Sequence, residues 1–319
     1  MKNIIKETPL IKIWYKYNNK NRYVFAKLEY YNITGSIKDR VAYYILKNAK
    51  QRGELKEKMP IIEATSGNTG ISLAALGSYY KHPVYIYMPD WVSQERLNLM
   101  KMFNANVTLI SKEQGGFSRC IEEAKKKAKE VNGYIANQFS NRDNVLAHFE
   151  TTGEEIINQM NEEIGGFIAG IGTGGTLMGV AKRLKKENKE INIVALEPEQ
   201  MPMLSQNKIL GSHEIEGIGD EFIPPIVERN LINDVVLIND QDAINMSRLL
   251  ATKLGLGVGI SSGANMLGAI VLEEKINKNI VTTFADDNKK YITTKLSEPI
   301  EKNNNFLSNK IELLDYEII

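Results

Sequence analysis

The stretch "GFIAGIGTGGTLMGVAKRL", residues 166–184, passes from a short apolar run through a glycine-rich turn directly into an amphipathic pattern. The apolar run predicts a buried strand, and the periodicity that follows predicts a helix. Backbone N–H groups and the positive end of the helix dipole would then converge on one point, which favours a phosphate group. We call residues 172–176 the glycine loop; it comprises Gly172, Thr173, Gly174, Gly175 and Thr176.

The same segment also fits a second kind of site. Gly170, Gly172 and Gly175 satisfy the pattern G-x-G-x-x-G, and Glu197 closes the next apolar run about twenty residues later, as in a dinucleotide fingerprint. Taken alone, the segment predicts a nicotinamide dehydrogenase or a single phosphate cradle equally well.

The rest of the chain repeats this alternation of apolar runs and helical patterns. "MPIIEAT" leads into "GISLAALGSYYK", "PVYIYMPD" into "SQERLNLMKMF", and "ANVTLIS" into "GFSRCIEEAKKKAKEV". Buried strands separated by amphipathic helices of this length predict an α/β protein with parallel sheets covered by helices.

Composition narrows the range of partners. The 319 residues carry 40 Lys and Arg against 39 Asp and Glu, a net charge of +1, so we expect neither a nucleic-acid nor a membrane partner. The one cysteine, Cys120, excludes an internal disulfide framework, and we expect a cytoplasmic protein. His82, His148 and His213 are scattered, and we predict no metal site.

A second loop of small residues occurs in "EATSGNTGISLAALG", residues 63–77, again between an apolar run and a helical pattern. We call residues 65–69 the hydroxyl loop; it comprises Thr65, Ser66, Gly67, Asn68 and Thr69. Its hydroxyls, amide and backbone N–H groups suit a carboxylate, although such clusters are also ordinary helix caps.

Lys38 lies in "YYNITGSIKDRVAYYIL", residues 30–46, between a turn of small polar residues and an apolar helix. By itself it could be a solvated first-turn charge. A lysine amine, a phosphate cradle and a carboxylate cradle together are what an enzyme needs to hold pyridoxal phosphate as a Schiff base and present an amino acid to it. A dehydrogenase would explain only the glycine loop.

With these motifs the sequence resembles the fold-type II pyridoxal-phosphate enzymes, specifically the cysteine synthases and cystathionine β-synthases. The resemblance runs from "TPLIKI" at Thr8 through "TGSIKDR", "EATSGNTGISLA", "NQFSNRDN", "TTGEEI" and "GIGTGGT" to "GISSGAN" at residues 259–265. "IEATSGNTGI", "SQER" and "KEQGG" are most similar to the cysteine synthase B type.

The resemblance implies an architecture. The fold would be tryptophan synthase β-like, with two twisted, mostly parallel sheets flanked by helices. Residues 1–40 and 150–300 would form a larger domain that binds the cofactor phosphate, and residues 41–149 a smaller, mobile domain carrying the hydroxyl loop. A homodimer is implied, and a serine acetyltransferase is a possible partner.

The resemblance also implies residue roles. Lys38 would be the internal aldimine lysine and the α-proton base, the glycine loop would hold the cofactor phosphate, and Asn68 would face the 3-oxygen of the ring. The amino-acid substrate would contact Thr65, Ser66, Asn68, Thr69, Gln138 and Gly217. The threonine dehydratase branch usually has histidine where this chain has Thr69, which argues against a dehydratase.

Two departures from the family bear on the reaction. In "EGIGDEFIPP", residues 216–225, Asp220 and Glu221 stand where the family has small residues. A carboxylate there would repel hydrosulfide but could act as a base for water. We therefore favour, by a small margin, the conversion of L-cysteine and water to L-serine and hydrogen sulfide through an aminoacrylate. Cysteine synthesis from O-acetyl-L-serine and sulfide is the alternative, with Asp220 then capping a turn.

The second departure is "TTFADDNKKYITT", residues 282–294, where the family presents a small hydroxyl or thiol side chain to the pyridine nitrogen. Ala285, Asp286 and Asp287 occupy this region here, and we place Asp286 in the cofactor site. An aspartate at that nitrogen would keep it protonated and strengthen the electron sink, whereas one facing solvent would do nothing.

The asparagines and charges of "EKNNNFLSNK" predict a linker, so residues 301–319 are expected to form a C-terminal tail. Acetyltransferase tails that end in isoleucine dock into cysteine synthase active sites. Because the sequence finishes with "DYEII", docking of Ile319 into its own site is an alternative to a tail at the surface.

Overall fold

The computed structural model describes residues 4–319 and contains two separate β-sheets with helices packed on their faces. The strands are β1 Leu10–Tyr17, β2 Lys20–Leu28, β3 Ile61–Ala64, β4 Val84–Pro89, β5 Asn106–Ile110, β6 Tyr134–Ile135, β7 Gly166–Gly170, β8 Asn192–Pro198, β9 Asp234–Ile238, β10 Ile280–Phe284 and β11 Glu312–Ile318. The helices are α1 Lys38–Gln51, α2 Asn68–Tyr80, α3 Gln94–Met102, α4 Gly116–Glu130, α5 Arg142–Glu150, α6 Thr152–Gln159, α7 Gly175–Glu187, α8 Met203–Gln206, α9 Asp240–Leu254 and α10 Ile260–Ile276. In this part of the chain no helix is both long enough and apolar enough to cross a bilayer.

The large sheet has seven strands in the order β11-β1-β2-β10-β7-β8-β9. Strands β2, β10, β7, β8 and β9 run parallel, whereas β1 is antiparallel to both β2 and β11. The central strand β10 is buried at every position. Such continuous burial is typical of a parallel sheet covered on both faces.

The small sheet has four parallel strands in the order β5-β4-β3-β6. Both sheets are therefore parallel-rich and flanked by helices, which confirms the predicted α/β fold class. Strand β3 is buried throughout, including its one charged residue, Glu63.

Side chains that alternate along β7 divide the core of the large sheet into two layers. Ile168 packs with residues of α9 and α10, whereas the neighbouring Phe167 packs with residues of α6 and α7. The glycine loop follows the carboxyl end of β7, and the hydroxyl loop follows that of β3. In open parallel sheets this end of the strands is where ligands bind.

The C-terminal segment differs from the tail that we expected. Residues Glu312–Ile318 form an edge strand of the large sheet, paired with β1 so that Ile318 lies opposite Ile11. The N–H of Ile319 donates to the carbonyl of Leu10 at 3.0 Å, so Ile319 is held at the sheet edge and not in the cleft. The prediction missed this strand because an edge strand keeps mainly polar side chains in solvent.

Candidate active site

Lys38 is the first residue of α1, and the charges that influence its amine are those of Asp286 and Asp220. Loss of hydration lowers the pKa of its amine, while the nearby carboxylates of Asp286 and Asp220 act in the opposite direction. A lysine amine with a lowered pKa is more often neutral near pH 7, and only the neutral amine is a nucleophile or a base.

The turn that precedes Lys38 is held by the segment after β10. The amine of Lys290 donates to the carbonyl of Gly35 at 2.8 Å, and the N–H of Ile37 donates to the carbonyl of Ala285 at 2.8 Å. Gly35 has a φ of 77°, a conformation that favours glycine. The lysine is thus positioned by residues about 250 positions away, which local patterns could not reveal.

Asp286 lies in the floor of the cleft and is only 1% exposed. Its Oδ2 accepts hydrogen bonds from Asn68 Nδ2 and from the hydroxyl of Tyr291, both at 2.8 Å. Among residues 4–319, Asp286 Oδ1 and Asn68 Oδ1 are buried without a hydrogen-bond partner. Asp287 instead accepts from the N–H of Lys289, so of the two aspartates it is Asp286 that faces the interior.

The hydroxyl loop meets the residue that we predicted would complete it. Thr69 Oγ1 donates to Gln138 Oε1 at 2.5 Å, and Gln138 Nε2 donates to the carbonyl of Ala64 at 3.3 Å. Thr65 and Thr69 are buried, whereas Ser66 is exposed at the rim. The loop and Gln138 therefore form one connected group of polar side chains.

Glu63, a residue that no sequence motif distinguished, supports this group. Its two oxygens accept the N–H of Ala64 at 2.8 Å and the N–H of Gln138 at 3.1 Å. Burial raises the pKa of Glu63 to about 7, although these backbone donors oppose the shift. Glu63 thereby fixes Gln138 relative to the hydroxyl loop.

The glycine loop is held by Asn144. Asn144 Nδ2 donates to Thr173 Oγ1 and to the carbonyl of Gln138, both at 2.9 Å, so one amide joins the two loops. A Cβ added to Gly175 would lie 1.9 Å from Asn144 Oδ1. Gly174 has a φ of 84°, which turns the chain into α7. The resulting concave backbone at a helix N-terminus is suited to an anion.

His148 lies beneath the glycine loop and is buried. Its Nε2 is 3.3 Å from Thr176 Oγ1, and its Nδ1 is 3.0 Å from Thr152 Oγ1. Burial, together with the charges of Lys38 and Arg40, lowers the pKa of His148 well below its usual value. The imidazole therefore stays neutral and orients Thr176 without adding a charge.

Asp220 approaches Lys38 from the loop that contains Gly217 and Gly219. Loss of hydration raises the pKa of Asp220 to about 6; Lys38 lowers it and Glu221 raises it further. The N–H of Gly219 donates to the carbonyl of Ile171 at 2.8 Å, which fastens this loop to the end of β7. Gly217 itself is exposed, with a φ of 93°.

An aromatic contact joins the Asp220 loop to the segment of Gln138. The rings of Phe139 and Phe222 are 5.1 Å apart, and those of Phe117 and Phe139 are 5.8 Å apart, both edge to face. The loop of Asp220 and the segment of Gln138 are therefore in direct contact.

The carboxylate that the dinucleotide fingerprint requires has another role here. Glu197 accepts hydrogen bonds from the N–H groups of Leu204 and Ser205 and from the hydroxyl of Ser205, and so caps α8. Over residues 4–319, no group of three or more His, Cys, Asp or Glu side chains is arranged to hold a metal ion. The cleft therefore combines the amine of Lys38, the carboxylates of Asp286 and Asp220, and the two polar loops.

Three comparisons agree with this chemistry. The family described as pyridoxal-phosphate dependent enzymes matches residues 1–286. Cysteine synthase B of Campylobacter jejuni is 39% identical over 279 residues, which are 86% of this chain and 91% of that protein. The cysteine synthase of Entamoeba histolytica, a solved structure, superposes with a TM-score of 0.87 at 36% identity, over 96% of this chain and 92% of that one.

A hydrogen sulfide-producing enzyme of Fusobacterium nucleatum is also similar. It superposes with a TM-score of 0.95 at 46% identity, over 99% of this chain and 97% of that one. A mutant of that enzyme, with asparagine in place of an aspartate, has been solved in complex with an α-aminoacrylate intermediate.

Proposed function

The chain belongs to the pyridoxal-phosphate dependent enzymes and, within them, to the cysteine synthase family, and from that premise we propose that it converts L-cysteine and water to L-serine and hydrogen sulfide. β-Replacement on an amino acid is the chemistry that its relatives support. The proposal concerns which amino acid enters and which nucleophile replaces the leaving group.

The residues of the cleft fit pyridoxal phosphate. The concave glycine loop would hold the phosphate, and the unpartnered Oδ1 atoms of Asn68 and Asp286 mark where a polar ring would bind. In this proposal Asn68 faces the 3-oxygen, Asp286 contacts the pyridine nitrogen, and Lys38 attaches to the aldehyde. Bound pyridoxal phosphate supplies an electron sink that acidifies the α-carbon and allows a group to leave the β-carbon.

Lys38 carries the α-proton in this proposal. As a neutral amine, Lys38 would take the proton from the α-carbon of the bound amino acid and later return it. Its lowered pKa supports this role, because a neutral amine is needed for the first step.

The substrate carboxylate would be gripped by the hydroxyl loop and Gln138, with Gly217 at the rim. Thr69 and Gln138 already form a hydrogen bond, and Glu63 and Asn144 hold Gln138 from behind, so little ordering remains when the amino acid binds. Thr65, Ser66 and Asn68 add further polar groups.

Asp220 would act as the base for water, and the observation that carries the proposal is the position of its loop beside the glycine loop, where the N–H of Gly219 donates to the carbonyl of Ile171 at 2.8 Å. The charges of Lys38 and Asp220 influence each other, so a substrate whose α-carbon is served by Lys38 would present its β-carbon on the side of Asp220. The C–S bond breaks and hydrosulfide leaves; water then forms the new C–O bond while Asp220 accepts its proton. A pKa raised to about 6 suits a base that works near neutral pH. The intermediate-bound aspartate mutant of the Fusobacterium enzyme supports an aspartate in this step.

Cysteine synthesis from O-acetyl-L-serine and sulfide is the second candidate. It is favoured by the cysteine synthase relatives, which are 37–39% identical to this chain over most of its length. The two reactions differ in leaving group and nucleophile, so a product analysis separates them.

The deciding experiment incubates the holoenzyme with L-cysteine alone in water enriched in heavy oxygen, with products analysed by mass spectrometry. Labelled serine together with sulfide is the expected result. Absence of serine, with rapid cysteine formation from O-acetyl-L-serine and sulfide, would establish the synthase reaction and leave Asp220 a structural residue.

Two variants test the base. Asp220→Asn should lower serine formation by about a hundredfold, because general-base catalysis typically contributes that much. Glu221→Gln, which removes the neighbouring exposed carboxylate, serves as the matched control and should change the rate little. Since only ionised Asp220 accepts a proton, serine formation by the wild type should fall as the pH drops through about 6. An Asp220→Asn variant as active as the control would overturn the assignment.

Several larger-scale expectations belong to the same proposal. We infer a homodimer, a cytoplasmic location, and movement of residues 41–149 relative to residues 1–40 and 150–300. A serine acetyltransferase partner belongs to the synthase alternative, because that enzyme would supply an activated serine.

A further inference from the structure

Arg96, the arginine of "SQER", is a buried cation that has no role in the proposed reaction. It lies in the first turn of α3 and is 2% exposed. Lys and Arg are rarely this buried unless their charge is compensated, so its surroundings call for an explanation.

Three segments of the candidate active site meet at this side chain. The stem of Arg96 lies against Gly67 of the hydroxyl loop, where an added Cβ would be 2.6 Å from Arg96 Cδ and Nε. Its guanidinium is paired with Glu216, the residue before Gly217. The same guanidinium stacks on Tyr291, 4.5 Å from the ring centroid.

Tyr291 connects the cation to the floor of the cleft. Its hydroxyl donates to Asp286 Oδ2 at 2.8 Å, and Asn68 of the hydroxyl loop donates to the same oxygen at 2.8 Å. The planar guanidinium can pair with a carboxylate and stack on a ring at once, which lysine cannot do.

The N-terminus of α3 is itself docked on the segment that carries Tyr291. Ser93 Oγ accepts from Arg96 at 3.0 Å and donates to the carbonyl of Lys290 at 2.8 Å. Glu95 accepts the N–H and the hydroxyl of Thr293, both at 2.8 Å. Hydrogen bonds from the first turn of α3 therefore fix the orientation of Arg96 relative to the segment that carries Tyr291.

We propose that Arg96 is a positioning residue, whose single guanidinium sets the hydroxyl loop and the Glu216–Gly217 turn against the Tyr291–Asp286 pair. Substrate binding by the hydroxyl loop and the orientation of Asp286 at the pyridine ring thus both depend on Arg96. The inference rests on the proposed function in that it takes the hydroxyl loop as the substrate grip and Asp286 as a cofactor contact.

Spectral titration of the holoenzyme with L-serine tests the inference, because the absorbance of the bound cofactor reports ligand binding without any turnover. Arg96→Gln should weaken L-serine binding by about tenfold or more, since it removes one partner of a buried pair. It should also shift the absorption maximum of the bound cofactor. Arg96→Lys should restore only part of the affinity, because it keeps the charge without the planar fork.

Glu216 provides the control for a purely structural effect. Arg96→Gln leaves the half-buried Glu216 carboxylate unpaired, which destabilises the fold. The double variant Arg96→Gln/Glu216→Gln should recover thermal stability while L-serine affinity and the cofactor spectrum stay altered. Arg119→Gln, an exposed arginine on α4 that pairs with Glu122 and Glu123, should match the wild type in every measurement.

Two results would overturn the inference: wild-type affinity and spectrum in a folded Arg96→Gln variant, or recovery of affinity together with stability in the double variant. Neither depends on whether serine or cysteine is the product. If the proposed reaction fails but Arg96→Gln weakens L-serine binding, Arg96 remains a positioning residue. If the reaction is found but the affinity and spectrum of the variant are those of the wild type, only the inference about Arg96 fails.

Discussion

The glycine loop and the hydroxyl loop share one local plan, a buried strand followed by small residues and a helix, yet they are held in place differently. A Cβ on Gly172 would lie 2.2 Å from the backbone carbonyl of Gly217, so chain packs directly on chain. A Cβ on Gly67 would instead come closest to the side chain of Arg96, 2.6 Å from its Cδ and Nε. Side chains can change rotamer, whereas backbone moves only with its whole segment. We infer that the cofactor side is a fixed anchor and the substrate side an adjustable grip.

The largest expected effect, and the strongest test of the glycine loop as a fixed anchor, is the loss of cofactor affinity in Gly172→Ala. Because the new methyl group must displace the backbone of residue 217, the glycine loop should lose its shape and the affinity for pyridoxal phosphate should fall about a hundredfold. Absorbance of the isolated protein and equilibrium dialysis with the cofactor measure this loss. Gly211→Ala is the control, since its nearest neighbour is the flexible end of Gln200 at 3.3 Å. Full cofactor retention by Gly172→Ala would show that the loop is not anchored by backbone contact.

A smaller effect, confined to substrate binding, is expected from a change in the hydroxyl loop. Thr69→Val removes the hydroxyl that donates to Gln138 but keeps the side-chain shape, so the KM for L-cysteine should rise about tenfold with cofactor content unchanged. Thr252→Val, which removes an exposed hydroxyl bonded to the carbonyl of Arg248, should change neither quantity. Loss of cofactor with an unaltered KM would reverse the roles that we assign to the two loops.

The smallest difference should be in the response of stability to pH, which is compared through one buried group behind each loop: Glu63 behind the hydroxyl loop and His148 behind the glycine loop. Glu63, with a pKa of about 7, binds its proton more tightly in the folded than in the unfolded chain. Its contribution to the free energy of unfolding should therefore fall as the pH rises from about 4.5 to about 7. His148 has a lowered pKa, so its contribution should fall as the pH drops below about 6.5.

Denaturant unfolding of Glu63→Gln and His148→Gln across this pH range checks the two signs. The stability of the wild type relative to Glu63→Gln should decrease toward neutral pH, and that relative to His148→Gln should decrease toward acid. Parallel curves for wild type and a variant would mean that the group in question does not titrate differently in the folded protein.

Sequence patterns predicted those parts of the molecule that depend on neighbours along the chain. The strand, loop and helix around Gly175 and around Asn68 were predicted because glycine spacing and apolar periodicity are local signals. The position of Lys38 at the start of α1 was predicted for the same reason.

The contacts behind the site could not be predicted in this way. Arg96 pairs with Glu216, 120 positions away, and Glu63 bonds to Gln138, 75 positions away. Nothing local distinguishes a buried glutamate from an exposed one. The motif "SQER" was noted only as a family likeness; the position of Arg96 beside Leu97 and Met100, which are also buried, is the signal that could have placed it inside.

The order of strands in the two sheets has a consequence for synthesis on the ribosome. All four strands of the small sheet come from residues 61–135, so that sheet can form as soon as this stretch has emerged. Strand β2 must instead wait for its neighbour β10, Ile280–Phe284, which is translated about 250 residues later. The β1–β2 hairpin would meanwhile present an unpaired edge to other nascent chains. The strand order thus leaves this edge open to other chains until β10 has been made, before any cofactor has bound.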